Sequence, residues 1–189
     1  MKFTFTLLIA LFAVPCFAAW DLDGSQSALH FVTTKATHTA EVHRFKSLSG
    51  SVDAQGNATL NIDLNSVDTS IEIRDQRMQE MLFEVVNFPT ATLTAKVDPK
   101  LSELAVGSVK TVDLNGTLSL HGKSVAVKSI ASVERLAPKK LVVTSATPII
   151  INAKDFALDS GVEKLREVAG LPSISYSVVV TYHLVFNEK

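Results

Sequence analysis

The sequence predicts a mainly β, antiparallel fold, a sandwich or a barrel, with two short helices. Three observations predict it. Runs of alternating apolar and polar residues recur along the chain, and a strand points such residues to opposite faces. Mainly short turn signals join the runs. The third observation is Val112–Lys123, where Val112, Leu114, Gly116, Leu118 and Leu120 alternate with Asp113, Asn115, Thr117, Ser119 and His121. A glycine inside that oily row marks a bend at a barrel corner or the close approach of another group.

Residues 1–18 read as a secretory signal peptide. Lys2 gives a positive start, Phe3–Val14 is apolar, and Pro15 precedes Cys16-Phe17-Ala18, with cleavage after Ala18. The apolar run falls short of the roughly 20 residues that a spanning helix needs. A lipid anchor on Cys16 is the weaker alternative, because Val14 and Pro15 replace the small residues expected before a lipoprotein cysteine. Residues 19–189 then form a single exported domain. It holds no cysteine, hence no disulfide and no thiolate chemistry. The chain has 18 basic and 19 acidic side chains and no basic patch, so nucleic acid is not an expected partner. No second apolar run approaches membrane length, and no membrane span is expected in the mature protein.

The expected strands follow in order. Ala28–Thr34 and His38–Leu48 come first, with Gly50–Asp53 extending the second, before the turn Asp53–Asn57. Ala58–Leu64 and Thr90–Val97 alternate cleanly. Val112–His121 turns through Gly122-Lys123 into Ser124–Leu136, and Pro138-Lys139-Lys140 leads into Leu141–Ile151. Ile174–Phe186 is the last strand. The first helix is expected over Ile71–Leu82, with Thr69 and Glu72 at capping-box spacing. The second is expected over Gly161–Ala169, with Ser160 and Glu163 as its box and Gly170 and Pro172 as its stop. Its stripe of Val162, Leu165 and Ala169 suits a position on a sheet face.

Pattern alone is met by a sandwich or by a barrel. A barrel of about eight strands is either filled by side chains or left with room for one ligand. Ala58, Ala91, Ala95, Gly116, Val125 and Val127 are small residues on oily faces. They favour a cavity, and they would equally let two sheets pack closely.

Catalytic signals are sparse. The sequence has no Gly-x-Ser-x-Gly elbow, no phosphate-binding glycine loop and no His-Glu-x-x-His helix, so it predicts no enzyme. An enzyme using the cavity as a pocket for a lipid-like substrate is the alternative. His38 and His43 fall on opposite strand faces, so no metal site is expected from them. Arg74 stands within the stripe Ile71, Met78, Met81, Val85. It is expected either to anchor the helix to an acid such as Asp63 or Asp68, or to hold the polar head of an amphiphile. Phe31, Phe45, Phe83, Phe88 and Phe156 are candidate walls of a tail-binding tunnel, and also the largest residues available to a core.

Together these residues resemble the YceI-like family. The matching motifs are Trp20-Asp21-Leu22-Asp23 with Ser27-Ala28-Leu29-His30-Phe31, His43-Arg44-Phe45 with Ser49-Gly50, and Ser66-Val67-Asp68-Thr69. Arg74-Asp75 with Phe83 and Phe88-Pro89, Leu114–Gly122 and Lys154-Asp155-Phe156 complete the series, which spans the mature chain. The resemblance implies an antiparallel lipocalin-like β-barrel with a long apolar cavity. It implies a periplasmic carrier of a polyisoprenoid or other long-chain amphiphile, often a homodimer, with a bound isoprenoid or fatty-acyl ligand in place of any cofactor. The candidate ligand contacts are Phe31, Phe45, Leu60, Ile62, Arg74, Phe83, Phe88, Leu93, Leu118, Leu120 and Phe156. Two positions depart from the family pattern, His43 and Ala157, each standing where glycine is common. Ala157 disfavours a positive φ, which predicts a different local turn there.

Overall fold

The structure, a computed structural model, describes residues 20–189. The expected signal peptide and Cys16 lie outside the described residues. Alternation becomes twelve β-segments in one sheet: β1 Trp20–Leu22, β2 Ala28–Lys35, β3 Thr39–Phe45, β4 Leu48–Val52, β5 Asn57–Asp63 and β6 Val67–Asp68. They continue as β7 Thr90–Lys96, β8 Val109–Leu120, β9 Lys123–Ala137, β10 Lys140–Ser145, β11 Ile149–Asn152 and β12 Ser177–Glu188. Pairing is antiparallel throughout, and β1 bonds both β4 and β12, which closes the sheet.

The closed form is an eight-stranded barrel because four of its staves are broken, one of them into β5 and β6, which pair β4 and β3. β1 and β2 pair successive parts of β12, and so do β10 and β11. β3 and β4 follow β2 and β1 on the neighbouring stave. Two of these breaks correct the expected strands. The run His38–Leu48 stops at Lys46-Ser47, where both backbone N–H groups bond Ser66 instead of a strand. Leu141–Ile151 stops at Ala146–Pro148, because proline removes a ladder donor. The short strand β1 and the 3-10 turn Pro99–Glu103 carry too few residues for a period to be read.

The barrel's inner rows follow the register. Ala58, Ala95, Gly116 and Val127 stand opposite one another across β5, β7, β8 and β9. Leu60, Leu93, Leu118 and Val125 form the neighbouring row. A small ring thus lies beside a leucine ring.

Two helices sit over one end: α1 Glu72–Arg77, continuing as a π turn over Met78–Leu82, and α2 Asp159–Val168. They touch where α2 has no side chain. A Cβ on Gly161 would lie 2.7 Å from the Met81 carbonyl oxygen and 2.9 Å from Leu82 Cα. Neither expected capping box forms. Thr69 donates its hydroxyl to Asp75 Oδ1 at 2.5 Å, and Ile71 caps α1 without a side-chain bond. Glu163 instead accepts from Arg166 Nε at 2.6 Å and from the Tyr176 hydroxyl at 2.7 Å, which ties α2 to the approach of β12. Gly170, at φ +62°, ends that helix as expected.

The other end of the barrel is floored by Trp20 and the Pro99–Glu103 turn. The Arg135 guanidinium lies 4.9 Å over the Trp20 ring and donates to the carbonyls of Ser102, Ala137 and Pro138. A cation on an aromatic face with its donors satisfied is a stable closure.

Candidate functional site

The helices and inner rows enclose an apolar cavity of about 310 Å³ under the helical end. A second chamber of about 150 Å³ lies toward the floor. Leu60, Leu93, Val127, Ile149 and Tyr182 line both chambers and form the waist between them. The Tyr182 hydroxyl is bonded to Ser129 at 2.8 Å, and burial raises its pKa above the usual tyrosine range. The lower chamber is bounded by the small row Ala58, Ala95 and Gly116, together with Trp20. The upper one lies in the size range of small-molecule sites.

Gly116 settles the question raised by its position in the oily row. A Cβ there would come within 2.8 Å of the Thr94 carbonyl oxygen and 3.1 Å of Leu93 Cδ1. The neighbouring strand approaches too closely for any side chain, and the chamber beside it is wider as a result.

Nine of the eleven candidate contacts line the upper chamber: Phe31, Phe45, Leu60, Ile62, Arg74, Phe83, Leu93, Leu118 and Leu120. The first three aromatics form a chain, with Phe31 against Phe45 at 5.2 Å and Phe45 against Phe83 at 5.9 Å. Phe88 and Phe156 do not line either chamber, which corrects that expectation. Phe88 packs on His121 at 4.5 Å over the β8–β9 turn, where His121 and Gly122 both take positive φ. Phe156, 1 % exposed, fills a separate cluster with Ala153, Leu158 and Val162 behind α2. Ala157 after it does adopt the left-handed conformation, at φ +55°, so the different turn expected there is not formed. Its N–H bonds the Ala153 and Lys154 carbonyls, which hold it in place.

The first helix lies rotated from its expected stripe. Ile71 is exposed, whereas Met78, Leu82 and Phe83 face the cavity with Arg74 and Arg77. Ile71 is the extended N-cap before α1, and the π turn shifts the later positions, since Phe83 N–H bonds back five residues to the Met78 carbonyl and adds a residue to the turn. Arg74 pairs with neither Asp63 nor Asp68. Its NH1 donates to Glu41 Oε2 at 2.7 Å and its NH2 to the Thr69 carbonyl at 2.6 Å. Lys35 reaches the same Glu41 oxygen at 2.9 Å. The Lys35 bond, aided by the Arg74 charge, holds the Glu41 carboxyl below the usual carboxylate range despite partial burial.

His43, like Glu41, is a site residue that sequence reading missed, although its unusual identity was visible. It is 4 % exposed, lines the cavity beside Phe31, and shares a 3.0 Å hydrogen bond between its Nε2 and the Thr33 hydroxyl. Burial, then the Arg74 charge, pushes its pKa below the usual histidine range. Its Nδ1 has no hydrogen-bond partner, and neither does the buried Nε of Arg74. Among the described residues no group of three or more His, Cys, Asp or Glu is placed to hold a metal ion. No helix among them is long and apolar enough to cross a membrane.

Comparison with known proteins agrees with this architecture. The YceI-like domain family matches residues 20–186. A polyisoprenoid binding domain from Saccharophagus degradans, implicated in plant cell wall breakdown, superposes with a TM-score of 0.89 at 40% identity, covering 91% of this chain and 99% of that one. BcnA of Burkholderia cenocepacia shares the fold at 21% identity and a TM-score of 0.65, over 87% of this chain and 98% of its own. The Campylobacter jejuni YCEI protein does so at 20% identity and a TM-score of 0.57, over 78% and 84%. A comparison with curated protein sequences gave no match.

Proposed function

This chain belongs to the YceI-like family, and from that premise we propose that it binds one polyisoprenoid or similar long-chain amphiphile in its barrel, as an exported carrier. The observation that carries this reading is the pair of adjoining chambers, walled almost wholly by hydrocarbon, with basic side chains at one end only. Lys35, Glu41, Arg74 and Arg77 are the charged residues of the upper chamber, whereas Asp53 and Asp98 border the lower one with their carboxylates bonded within their own turns. Burying an apolar tail is worth about 25 cal/mol per Å², and a few polar groups at one end set its direction. The Saccharophagus degradans domain, similar along its whole length, is described as polyisoprenoid binding.

The signal-like residues 1–18 support delivery to the periplasm. A carrier needs no catalytic group, and in this reading His43 and Arg74 contact the ligand without transforming it. Each barrel holds its own cavity, so the scheme applies alike to a monomer and to a homodimer. Native mass spectrometry of gently purified protein, followed by solvent extraction, tests the proposal. The expected result is one lipid-like molecule per chain, or its uptake from added isoprenoid and fatty-acyl probes. A chain that stays empty with every probe would refute carriage.

A further inference from the structure

His121 is held between three segments at the helical end, outside both chambers. It belongs to the β8–β9 turn, the Phe88 ring packs on it at 4.5 Å, and its Nδ1 lies 3.3 Å from the Phe156 carbonyl oxygen. A carbonyl oxygen only accepts, so Nδ1 carries the proton of the neutral ring and Nε2 is a bare acceptor. That Nε2 is buried and has no hydrogen-bond partner. The Glu84 carboxylate faces it, with Oε2 at 3.7 Å, and a carboxylate is a second acceptor. Two acceptors opposed in this way leave a contact that cannot close while the ring is neutral. A buried polar atom so placed calls for an explanation.

A second proton on the ring supplies one. It turns Nε2 into a donor toward Glu84 and leaves the bond to Phe156 in place. Histidine changes charge between pH 5 and 8. Glu84 is the one acid within ion-pair reach of His121 among the described residues. Of the other charges on these segments, Lys123 and Asp155 are exposed, and Lys154 lies over the Tyr176 ring, 4.8 Å from its centroid. The backbone is committed to the contact as well. His121 and Glu84 both take positive φ, 49° and 50°, which residues other than glycine keep only where their surroundings impose it.

The contact joins the parts that cover the cavity. Glu84 follows the π turn, whose Met78 and Leu82 line the upper chamber with Phe83. Phe156 precedes α2, whose Val162 and Leu165 line it too. We infer that His121 is a proton-binding site that latches this cap, tying Glu84 and Phe156 to the β8–β9 turn when the ring is charged and freeing Glu84 when it is neutral. The latch goes beyond the carrier reading, and its test needs no ligand.

Hydrogen exchange of the ligand-free protein, read by mass spectrometry at about pH 7 and about pH 5 and corrected for the intrinsic effect of pH, tests it. The amides of Met78–Phe88 should be protected several-fold more at the lower pH. His121→Asn removes the titrating ring and keeps a residue that tolerates left-handed backbone. Glu84→Gln keeps the ring and removes the carboxylate. Each should abolish the rise, while native protection of β5 and β7 shows that the variants are folded. His43 acts with the opposite sign, since acidification costs stability through it, and it cannot produce the rise. No rise in the native chain, or an equal rise in either folded variant, would overturn the latch and leave the carrier reading untouched.

Discussion

At the scale of single residues, Gly116, Ala157 and His43 each answer to a separate physical constraint. Gly116 lines the lower chamber because the β7 backbone leaves no room for a Cβ. Gly116→Ala should therefore lower stability by roughly 1–3 kcal/mol, the usual cost of overpacking, read as a fall in thermal midpoint. Ala157 shows the opposite case, an alanine held at φ +55°. Ala157→Gly should relieve that strain and raise stability by about 1 kcal/mol, the flexibility of glycine in the unfolded chain offsetting part of the gain. A lower midpoint in urea would contradict it. His43 titrates below the usual histidine range in the fold, and near pH 6.5 in an unfolded chain. On acidification the unfolded state binds the proton first, so stability is complete above about pH 6.5 and declines as pH falls toward the lower folded value. Ligand-free His43→Leu should lose less stability than the native chain between pH 7 and pH 5. Equal losses in both proteins would show that His43 is not the group responsible.

At the scale of elements, the helical end is the part that can admit a ligand. There the cavity is lined by Lys35, Arg77, Val168, Leu171 and Ser175, and Val168 is 45 % exposed. α1 with its π turn and α2 are held together at Gly161, where backbone meets backbone. Gly161→Ala should separate them, lowering the thermal midpoint and speeding release of a bound probe in stopped-flow measurements. Unchanged release with a lowered midpoint would show that the helices do not gate the cavity. Much of the barrel was legible from period-2 alternation, as in β5, β7 and β8, because a half-buried strand records its inner face in sequence. The helix caps were not legible. Thr69 and Glu163 have the right spacing but found Asp75, Arg166 and Tyr176 as partners, and side-chain geometry decided between them. The phase of α1 was hidden as well, since a π turn leaves no mark in a 3.6-residue stripe. For the site, the leucine rows and Arg74 followed from alternation and an out-of-place charge. Glu41 and His43 did not, because their roles depend on contacts between β3, β2 and α1 that no local pattern encodes.

At the scale of the whole molecule, the barrel combines two cross-strand layers with different tasks. The leucine row narrows the interior, the small row widens it, and the two chambers meet at a waist lined by Tyr182. The basic side chains Lys35, Arg74 and Arg77 lie at one end and Trp20 at the other, so the two ends of the barrel differ. Trp20 is the sole tryptophan of the chain and borders only the lower chamber. Its emission therefore reports whether a tail passes the waist. The most direct test is to titrate the protein with geraniol, geranylgeraniol and longer polyprenols while following Trp20 fluorescence. A tail held along the barrel predicts a saturable change that begins only once the chain is long enough to reach the lower chamber. No saturable change at any length, or the same change from geraniol onward, would contradict it.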